Sequence, residues 1–277
     1  MLSYVYVTLP DVRPLVKTNP TSTAFMELRE RQAAEQGRTL RHVQRWVPYS
    51  RISQSLKRAV LVAEDDAFWD HEGIDMEQIR RSIEINLQRG APVRGASTLT
   101  QQLAKNLYLS PSRDPFRKLR ELIIARRLEA ELSKARIFEI YLNVIEWGDG
   151  IWGADAAART YFGVPASALS ASQAALLAGA IINPRVLNPA RPTERLLRRQ
   201  RMLLARMGNV TPPVPPPAVV LPETPAEPVT DVLPSDEGTD APPLPSGAPA
   251  EPESLPAEPS SAEPLPAPDA PASAPRP

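Results

Sequence analysis

The sequence predicts a mostly α-helical protein with a disordered C-terminal tail. Between residues 52 and 208, apolar residues recur every three or four positions, as they do on the buried faces of helices. From residue 211 onward the chain holds 22 of its 33 prolines and no aromatic residue. Such a composition buries too little apolar surface to offset its ordering entropy. We therefore divide the chain into a lead-in (1–50), a helical domain (51–210) and a tail (211–277).

The lead-in shows little periodicity. Residues 23–37 predict a short polar helix that ends at Gly37, and residues 41–50 alternate as a strand does until Pro48. The first ten residues, MLSYVYVTLP, resemble the outer end of a longer apolar segment. No apolar run in the chain reaches the length of about 20 residues that a bilayer span needs.

The domain contains six predicted helical stretches: 53–69, 75–90, 97–109, 116–147, 172–181 and 193–208. Asp75 and Gly90 are placed to cap and to stop the stretch 75–90, Ser97 to cap the stretch 97–109, and Gly208 to stop the stretch 193–208. The long stretch 116–147 is predicted to break near Ser133. Residues 172–181 are apolar on nearly every side, which predicts a central buried helix.

The overall charge balance conceals a basic domain beside an acidic tail. Residues 1–210 carry 31 Lys and Arg against 21 Asp and Glu. This excess favours an anionic partner, such as nucleic acid, anionic lipid or a phosphorylated substrate, although a solvated basic surface has the same balance. The absence of cysteine excludes disulfides and thiolate metal sites, and the only histidines, His42 and His71, lack zinc-ligand spacing.

Two glutamates are predicted to face the core. In a helix, offsets of four, seven and eleven residues share one face. Glu121 is followed at those offsets by apolar residues: Ala125, Leu128 and Leu132. Glu64 has Val60 four residues before it and Phe68 four residues after it, so a helix that continues past Glu64 places it on a similar apolar face, with His71 seven residues on.

The two aspartates after Glu64 are predicted to point away from that face, Asp66 into water. An inward carboxylate costs several kcal/mol unless it is paired or protonated. Glu64 and Glu121 therefore indicate either buried ion pairs or an acid–base site.

Polar and basic residues lie between and beside these two glutamates. A hydrogen-bonding stripe has spacings of three to four residues: Thr98, Gln101, Gln102 and Lys105. Four cations lie near Glu121 in sequence: Arg113, Arg117, Lys118 and Arg120. Cations beside polar donors suit a phosphate-bearing substrate, and paired carboxylates fit chemistry at the anomeric carbon of a sugar. Both readings hold together if the leaving group is a diphosphate.

Five segments, in order and with compatible spacing, resemble the five motifs of peptidoglycan glycosyltransferases, which form glycosyltransferase family 51. They are EDDAFWDHEG (64–73), RGASTLTQQLAKNLYL (94–109), RKLRELIIARRLE (117–129), IFEIYLNVIEWGDGIWGADAAARTYFG (137–163) and ALLAGAIINPRVLNP (175–189). The likeness is to the monofunctional biosynthetic type. It implies a mostly helical, lysozyme-like fold with a small membrane-associated jaw, here within 106–125. It also implies inverting polymerisation of lipid II on the periplasmic face of the bacterial inner membrane.

The resemblance also implies roles for individual residues. Glu64 matches the general base, and Glu121 matches a second carboxylate near the donor diphosphate that would help to hold a divalent cation, Mg or Mn; no organic cofactor is expected. The family's cations around the leaving group correspond in this sequence to Lys105, Arg117 and Lys118, with Arg113 and Arg120 as further candidates. Polar residues of the cleft match Ser97, Thr98, Gln101 and Gln102. Positions that shape the acceptor side match Asp65, Phe68 and His71.

The sequence departs from the family pattern at Ala96, which is a small change, and at Val164 and Gln173, where we expect an effect on local packing or lipid contact rather than on the carboxylates. Nothing resembling a transpeptidase follows the domain, so we expect a monofunctional enzyme. The family carries an N-terminal membrane helix, of which the first ten residues resemble the end. Expected partners are lipid II, the growing glycan strand, the membrane surface and cell-wall synthesis proteins bound by the tail. Nucleic acid is not expected as a partner.

Two other functions remain open from the sequence. One is a muramidase or lytic transglycosylase that cleaves finished strands on a similar fold. The other is a non-catalytic cell-wall scaffold that acts through its tail.

Overall fold

The computed structural model describes residues 9–90, 97–109 and 116–208, and helices dominate them. The helices are α1 (Ala24–Glu35), α2 (Gln54–Glu64), α3 (Met76–Arg89), α4 (Leu99–Tyr108), α5 (Phe116–Glu131), α6 (Lys134–Val144), α7 (Ala154–Phe162), α8 (Ala171–Ala180) and α9 (Glu194–Met207). The strands are β1 (Val43–Gln44), β2 (Glu146–Gly148) and β3 (Ile151–Trp152). The prediction of a mostly α-helical domain is confirmed; the predicted tail lies outside the described residues.

Most of these helices begin at a side-chain cap. The capping oxygens accept the backbone N–H three residues further on, and they belong to Thr23, Ser53, Asp75, Thr98, Ser133, Ser170 and Thr193. Each cap satisfies one of the N–H groups that the first turn leaves unpaired. Asp75 and Gly90 bound α3 as predicted, and Gly90 has a left-handed backbone with φ 63°. Ser97 was the wrong cap for α4, because Thr98 makes that hydrogen bond.

Two predicted helices end earlier than the periodicity indicates. The helix predicted over 53–69 stops at Glu64, because Asp65 has an extended backbone with φ −165° and ψ 82°. Its carboxylate instead accepts the N–H of Leu99 at 2.8 Å. The stretch 116–147 breaks at Ser133 as predicted, but α6 ends at Val144 and β2 follows.

A three-stranded sheet has the order β1-β3-β2, with β1 parallel and β2 antiparallel to β3. The strand predicted over 41–50 is only two residues long. Gly150, in the turn between β2 and β3, has φ 68°, and a Cβ there would lie 1.6 Å from the carbonyl oxygen of Arg41. Only glycine therefore lets the N–H of Val43 donate to the Gly150 carbonyl at 2.8 Å, which pairs β1 with β3.

The core surrounds α8, which packs against α2 and α9 and is largely buried, as predicted. On α2, the periodicity predicts that Leu56, Ala59, Val60 and Ala63 face inward; the first three are fully buried and Ala63 is half-buried. Helix α4 packs against α1, α5 and α6. The lead-in belongs to the same core, since Val12 and Met26 are buried within it.

Lys57 on α2 is a buried cation, with only 2% of its surface exposed. Its ammonium donates to the Tyr49 carbonyl at 3.3 Å and lies 4.1 Å from the centroid of the Tyr49 ring. Burial lowers the pKa of Lys57. The unfolded chain therefore binds this proton more tightly than the folded protein does, and the charge opposes folding at neutral pH.

We expect Lys57→Met to raise the free energy of unfolding at pH 7 by about 1 kcal/mol, because it keeps the side-chain volume and removes the buried charge. The Tyr49 carbonyl still accepts the N–H of Ile52 at 3.2 Å. Urea denaturation at pH 7 and pH 9.5 would measure the effect. The advantage of the variant should shrink at the higher pH, since the wild type gains stability as its lysine deprotonates. A variant that is less stable at both pH values would contradict this reasoning.

Candidate active site

A cleft of about 650 Å³ opens beside Glu64. The C-terminal end of α2 and the residues that follow it contribute one part of its lining, and α9 contributes another. Within the described residues, the lining consists of Val62, Ala63, Glu64, Asp65, Asp66, Gln78, Ser97, Gln102, Ile182, Arg199, Met202, Leu203 and Arg206. The end of α2 therefore presents its last residue, Glu64, to a space large enough for a sugar.

Glu64 is held by two groups from other helices. The Nε2 of Gln102 on α4 donates to its Oε2 at 3.0 Å, and the Nη2 of Arg199 on α9 lies 3.8 Å from its Oε1. Burial raises the pKa of Glu64, and the Gln102 hydrogen bond and the charges of Arg199 and Lys105 offset only part of that rise. A carboxylate with a raised pKa is a better proton acceptor near neutral pH.

A second cluster surrounds Glu121 on α5, which is only 4% exposed. The Nη1 of Arg117 lies 3.4 Å from its Oε2, and Lys118 donates to its Oε1. Lys118 also donates to the Oε1 of Gln101 at 2.9 Å. Glu121 thus fixes two cations in place, and more than half of the Lys118 side chain is covered by protein.

Lys105 connects the two carboxylates electrostatically. Burial lowers the pKa of Lys105, whereas the charges of Glu121 and, more weakly, Glu64 raise it. The neighbouring Arg117 and Lys118 lower it further. Helix α4 therefore carries a cation within range of both clusters. On the same helix, Gln101 accepts a hydrogen bond from Lys118 in the Glu121 cluster, and Gln102 donates one to Glu64.

The loop after α2 is closed by hydrogen bonds around Asp65. Besides accepting from Leu99, the Asp65 carboxylate has its two oxygens 3.1 and 3.2 Å from the Nε2 of His71. The N–H of Gly73 donates to the Nδ1 of His71 at 3.1 Å. Because Nδ1 is an acceptor, a neutral ring carries its proton on Nε2 and donates it to Asp65. This arrangement ties the loop to the first turn of α4.

The sequence profile of a family described as Transglycosylase matches residues 31–208. This chain belongs to that family. Similar proteins are the biosynthetic peptidoglycan transglycosylases of Laribacter hongkongensis (51% identity; 70% of this chain and 86% of the relative), Nitrosospira multiformis (47%; 70% and 85%) and Azoarcus sp. BH72 (56%; 60% and 72%). The resemblance stated from the motifs is confirmed, and the chain is a peptidoglycan glycosyltransferase.

In this transglycosylase the predicted site residues fall into three groups. Those that line the cleft are Glu64, Asp65, Ser97 and Gln102. Those in or beside the Glu121 cluster are Gln101, Lys105, Arg117, Lys118 and Glu121 itself. A supporting group, which is not among the lining residues, contacts the core or the loop after α2; it consists of Phe68, His71 and Thr98. Arg120 lies half-buried on α5, and Arg113 lies outside the described residues.

Two residues of the supporting group are completely buried. Phe68 packs against the rings of Trp69 and Phe138, and Thr98 donates to the Gly73 carbonyl at 2.7 Å. Their contacts shape the cleft through packing and loop closure. Direct substrate contacts by these two side chains stay predictions.

The expectation for Asp65 was wrong in one respect. We predicted that it points away from the core, yet it is 1% exposed, because the chain leaves the helix there and turns the carboxylate toward α4. Asp66 is exposed as predicted and pairs with Arg206 at 2.9 Å.

Two groups of side chains near the cleft bear on metal binding. Asp65, His71 and Asp75 have ligand atoms within 4.8 Å of one another, and each of them also accepts one backbone N–H, from Leu99, Gly73 and Gln78 respectively. Both oxygens of Glu121 face cations that a divalent ion would have to displace. The metal expected at Glu121 stays a prediction, and no chemical step below passes through it.

Sequence reasoning missed two residues at Glu64. The hydroxyl of Tyr141 on α6 donates to the Oε1 of Gln102 at 3.1 Å. Tyr141 lies in the apolar run IYLNV and gives no polar signal in the sequence. Arg199 lies seven residues before Arg206 on α9, so both reach the cleft. That spacing is visible in the sequence and could have indicated a shared face.

Proposed function

We propose that this transglycosylase polymerises lipid II into glycan strands, with Glu64 as the general base. The observation that carries the proposal is a half-buried carboxylate of raised pKa on the wall of a cleft, with a half-buried lysine that interacts both with it and with a second, cation-rich cluster. Family membership and the names of the relatives support the same activity.

The proposed step is an inverting displacement. The 4-hydroxyl of the acceptor's GlcNAc attacks C1 of the donor's MurNAc, and its proton passes to the carboxylate of Glu64. A new O–C1 bond forms as the bond from C1 to the diphosphate oxygen breaks. Undecaprenyl diphosphate leaves with the electron pair. Gln102 keeps the accepting carboxylate oriented toward the cleft, which such proton transfer requires.

The cations near Glu121 suit the leaving group. Lys105, Arg117 and Lys118 would meet the negative charge that grows on the departing diphosphate. Because Glu121 and Gln101 already hold Lys118, little reorganisation is needed when that charge develops. Glu121 would then act by holding these cations in position.

A muramidase or lytic transglycosylase would not need this set of cations. Purified protein should form glycan strands from lipid II and release no soluble muropeptides from sacculi. The reverse outcome would assign the cleft to strand cleavage. A scaffold without catalysis would show neither activity, and the tail by itself would capture a cell-wall protein.

The pH dependence of polymerisation follows from Glu64. A general base must be ionised, and the pKa of Glu64 is raised by burial above the ordinary value of 4.5. We therefore expect kcat/KM to rise with pH along an acid limb that lies above that value. The measurement is strand formation from lipid II at a series of pH values, with folding verified at each by circular dichroism. An acid limb at or below pH 4.5 would contradict the assignment.

An enzyme of peptidoglycan synthesis acts at the cell envelope, and we propose that this one contacts the membrane surface. None of the helices in the described ranges has the length and hydropathy needed to span a bilayer. On α3, however, Met76, Ile83 and Leu87 are exposed at offsets of seven and eleven residues, which share one face. Phe116 at the start of α5 is exposed too. The proposed jaw includes residues 110–115, which lie outside the described residues.

The double variant Ile83→Ser/Leu87→Ser should bind anionic lipid vesicles more weakly than the wild type, because each buried apolar side chain contributes about 1.5–3 kcal/mol. Vesicle co-sedimentation measures this. The matched control is Val186→Ser, which changes an exposed apolar residue elsewhere. Equal binding by all three proteins would place the membrane contact on another surface.

A further inference from the structure

A chain of two hydrogen bonds connects the core to Glu64. Tyr141 on α6 is completely buried, and its hydroxyl donates to the Oε1 of Gln102 at 3.1 Å. The Nε2 of the same amide donates to the Oε2 of Glu64 at 3.0 Å. The amide therefore spans the distance between a fixed donor and the carboxylate that accepts the substrate proton.

The direction of that amide matters, because a side-chain amide has one oxygen and one NH₂ group. If it turned over, its oxygen would face an ionised carboxylate and repel it. The ionised Glu64 carboxylate, which only accepts, therefore selects the NH₂ end of the amide. The Tyr141 hydroxyl pairs the amide oxygen on the other side, as a donor. Burial raises the pKa of Tyr141 well above 10, and the charges of Glu64 and Asp65 add to the rise. The hydroxyl thus keeps its proton throughout the pH range in which the enzyme works.

We propose that Tyr141 is a positioning residue for glycosyl transfer: by donating to the amide oxygen of Gln102, it locks the amide in place while the NH₂ group binds Glu64. Its effect on catalysis rests on the proposed function, whereas the locking itself does not. Tyr141 is completely buried and does not line the cleft described above. It acts through Gln102 on the proton affinity and direction of the general base.

The other charged groups that face Glu64 stay in place when only the tyrosine hydroxyl is removed. They are Arg199 from α9, Lys105 from α4 and the neighbouring Asp65. Asp65 is held independently by Leu99 and His71. Tyr141→Phe keeps the ring in the core and removes one donor. A change in the pKa of Glu64 in this variant therefore reports on the Gln102 amide.

The first experiment compares pH profiles of kcat/KM for the wild type, Tyr141→Phe and Tyr161→Phe. Tyr161 is the matched control, because its hydroxyl also donates one hydrogen bond at 3.1 Å, to the carbonyl of Trp147 away from Glu64. On the acid limb, Tyr141→Phe should lower kcat/KM by about two- to tenfold, the factor that one hydrogen bond supplies. At high pH the deficit should shrink, since the base is ionised in both proteins. Tyr161→Phe should leave the acid limb of the kcat/KM profile at the same pH as in the wild type.

The second experiment needs no activity. Losing the donor raises the pKa of Glu64 further in the folded protein. The stability lost through Tyr141→Phe should therefore grow as the pH rises through the Glu64 titration, and then level off. In the Glu64→Gln background the loss should be the same at every pH. Urea denaturation across the pH range measures both series.

The outcomes separate the two proposals. If no variant or wild type makes strands, the proposed function fails, and the stability series still tests the lock. If Tyr141→Phe leaves the acid limb unmoved and loses the same stability at every pH, as Tyr161→Phe should, then Tyr141 is only a packing residue. That result would overturn the inference.

Discussion

Replacing Glu64 with glutamine is expected to slow glycan formation from lipid II by about 10²–10⁴-fold, the contribution of a general base. Glutamine keeps the size of the side chain and its place on the cleft wall, but it cannot accept the proton of the acceptor hydroxyl. A gel assay of strands made from labelled lipid II measures the rate. Strand synthesis at the wild-type rate would defeat the mechanism.

A stability measurement on the same variant distinguishes a loss of catalysis from a loss of folding. The pKa of Glu64 is raised by burial, so the folded state favours the protonated form. At pH 7 the ionised side chain therefore opposes folding, and this cost disappears below its titration range. Glu64→Gln should be at least as stable as the wild type at pH 7. Glu35→Gln, which changes an exposed glutamate at the end of α1, serves as the control and should alter neither rate nor stability.

Replacing Asp65 with alanine is expected to lower the free energy of unfolding by about 3 kcal/mol. The carboxylate is 1% exposed and accepts the Leu99 N–H as well as the His71 ring N–H. Its removal leaves both donors buried without an acceptor. Urea denaturation at pH 7 measures the loss.

Asp66→Ala is the matched control for this prediction. Asp66 is the next residue, but it is exposed and forms a surface ion pair with Arg206. Such pairs contribute about 0–1 kcal/mol. Adding His71→Ala to Asp65→Ala should cost less than His71→Ala costs alone, because the two side chains share one hydrogen-bonded group. Equal losses for Asp65→Ala and Asp66→Ala would show that the buried carboxylate does not hold the loop.

Asp65→Asn adds a test of the His71 tautomer. The Asn oxygen can still accept the N–H of Leu99, but its NH₂ group would face the ring N–H of His71. The ring cannot switch tautomer freely, because Nδ1 accepts the N–H of Gly73. Asp65→Asn should therefore be clearly less stable than the wild type despite its nearly identical shape.

Local sequence determined much of the helical scaffold. Asp75 and Gly90 bound α3, and Ser133 divides α5 from α6, because capping depends on residues within a single turn. The burial of Glu121 followed from its helical offsets to Ala125 and Leu128, both buried on the same face. The five motifs identified the family and with it the expected carboxylates.

Only the tertiary structure decided how Glu64 is set up as a base. Gln102, Tyr141 and Arg199 come to Glu64 from three other helices, and helical periodicity carries no information about contacts between helices. A contact between distant residues also determines where α2 ends. The residues after Glu64 could have continued the helix, but the N–H at the start of α4 offered Asp65 a buried partner 34 residues away. Local propensity is worth tenths of a kcal/mol per residue, whereas an unpaired buried carboxylate costs several, so the distant contact set where α2 ends.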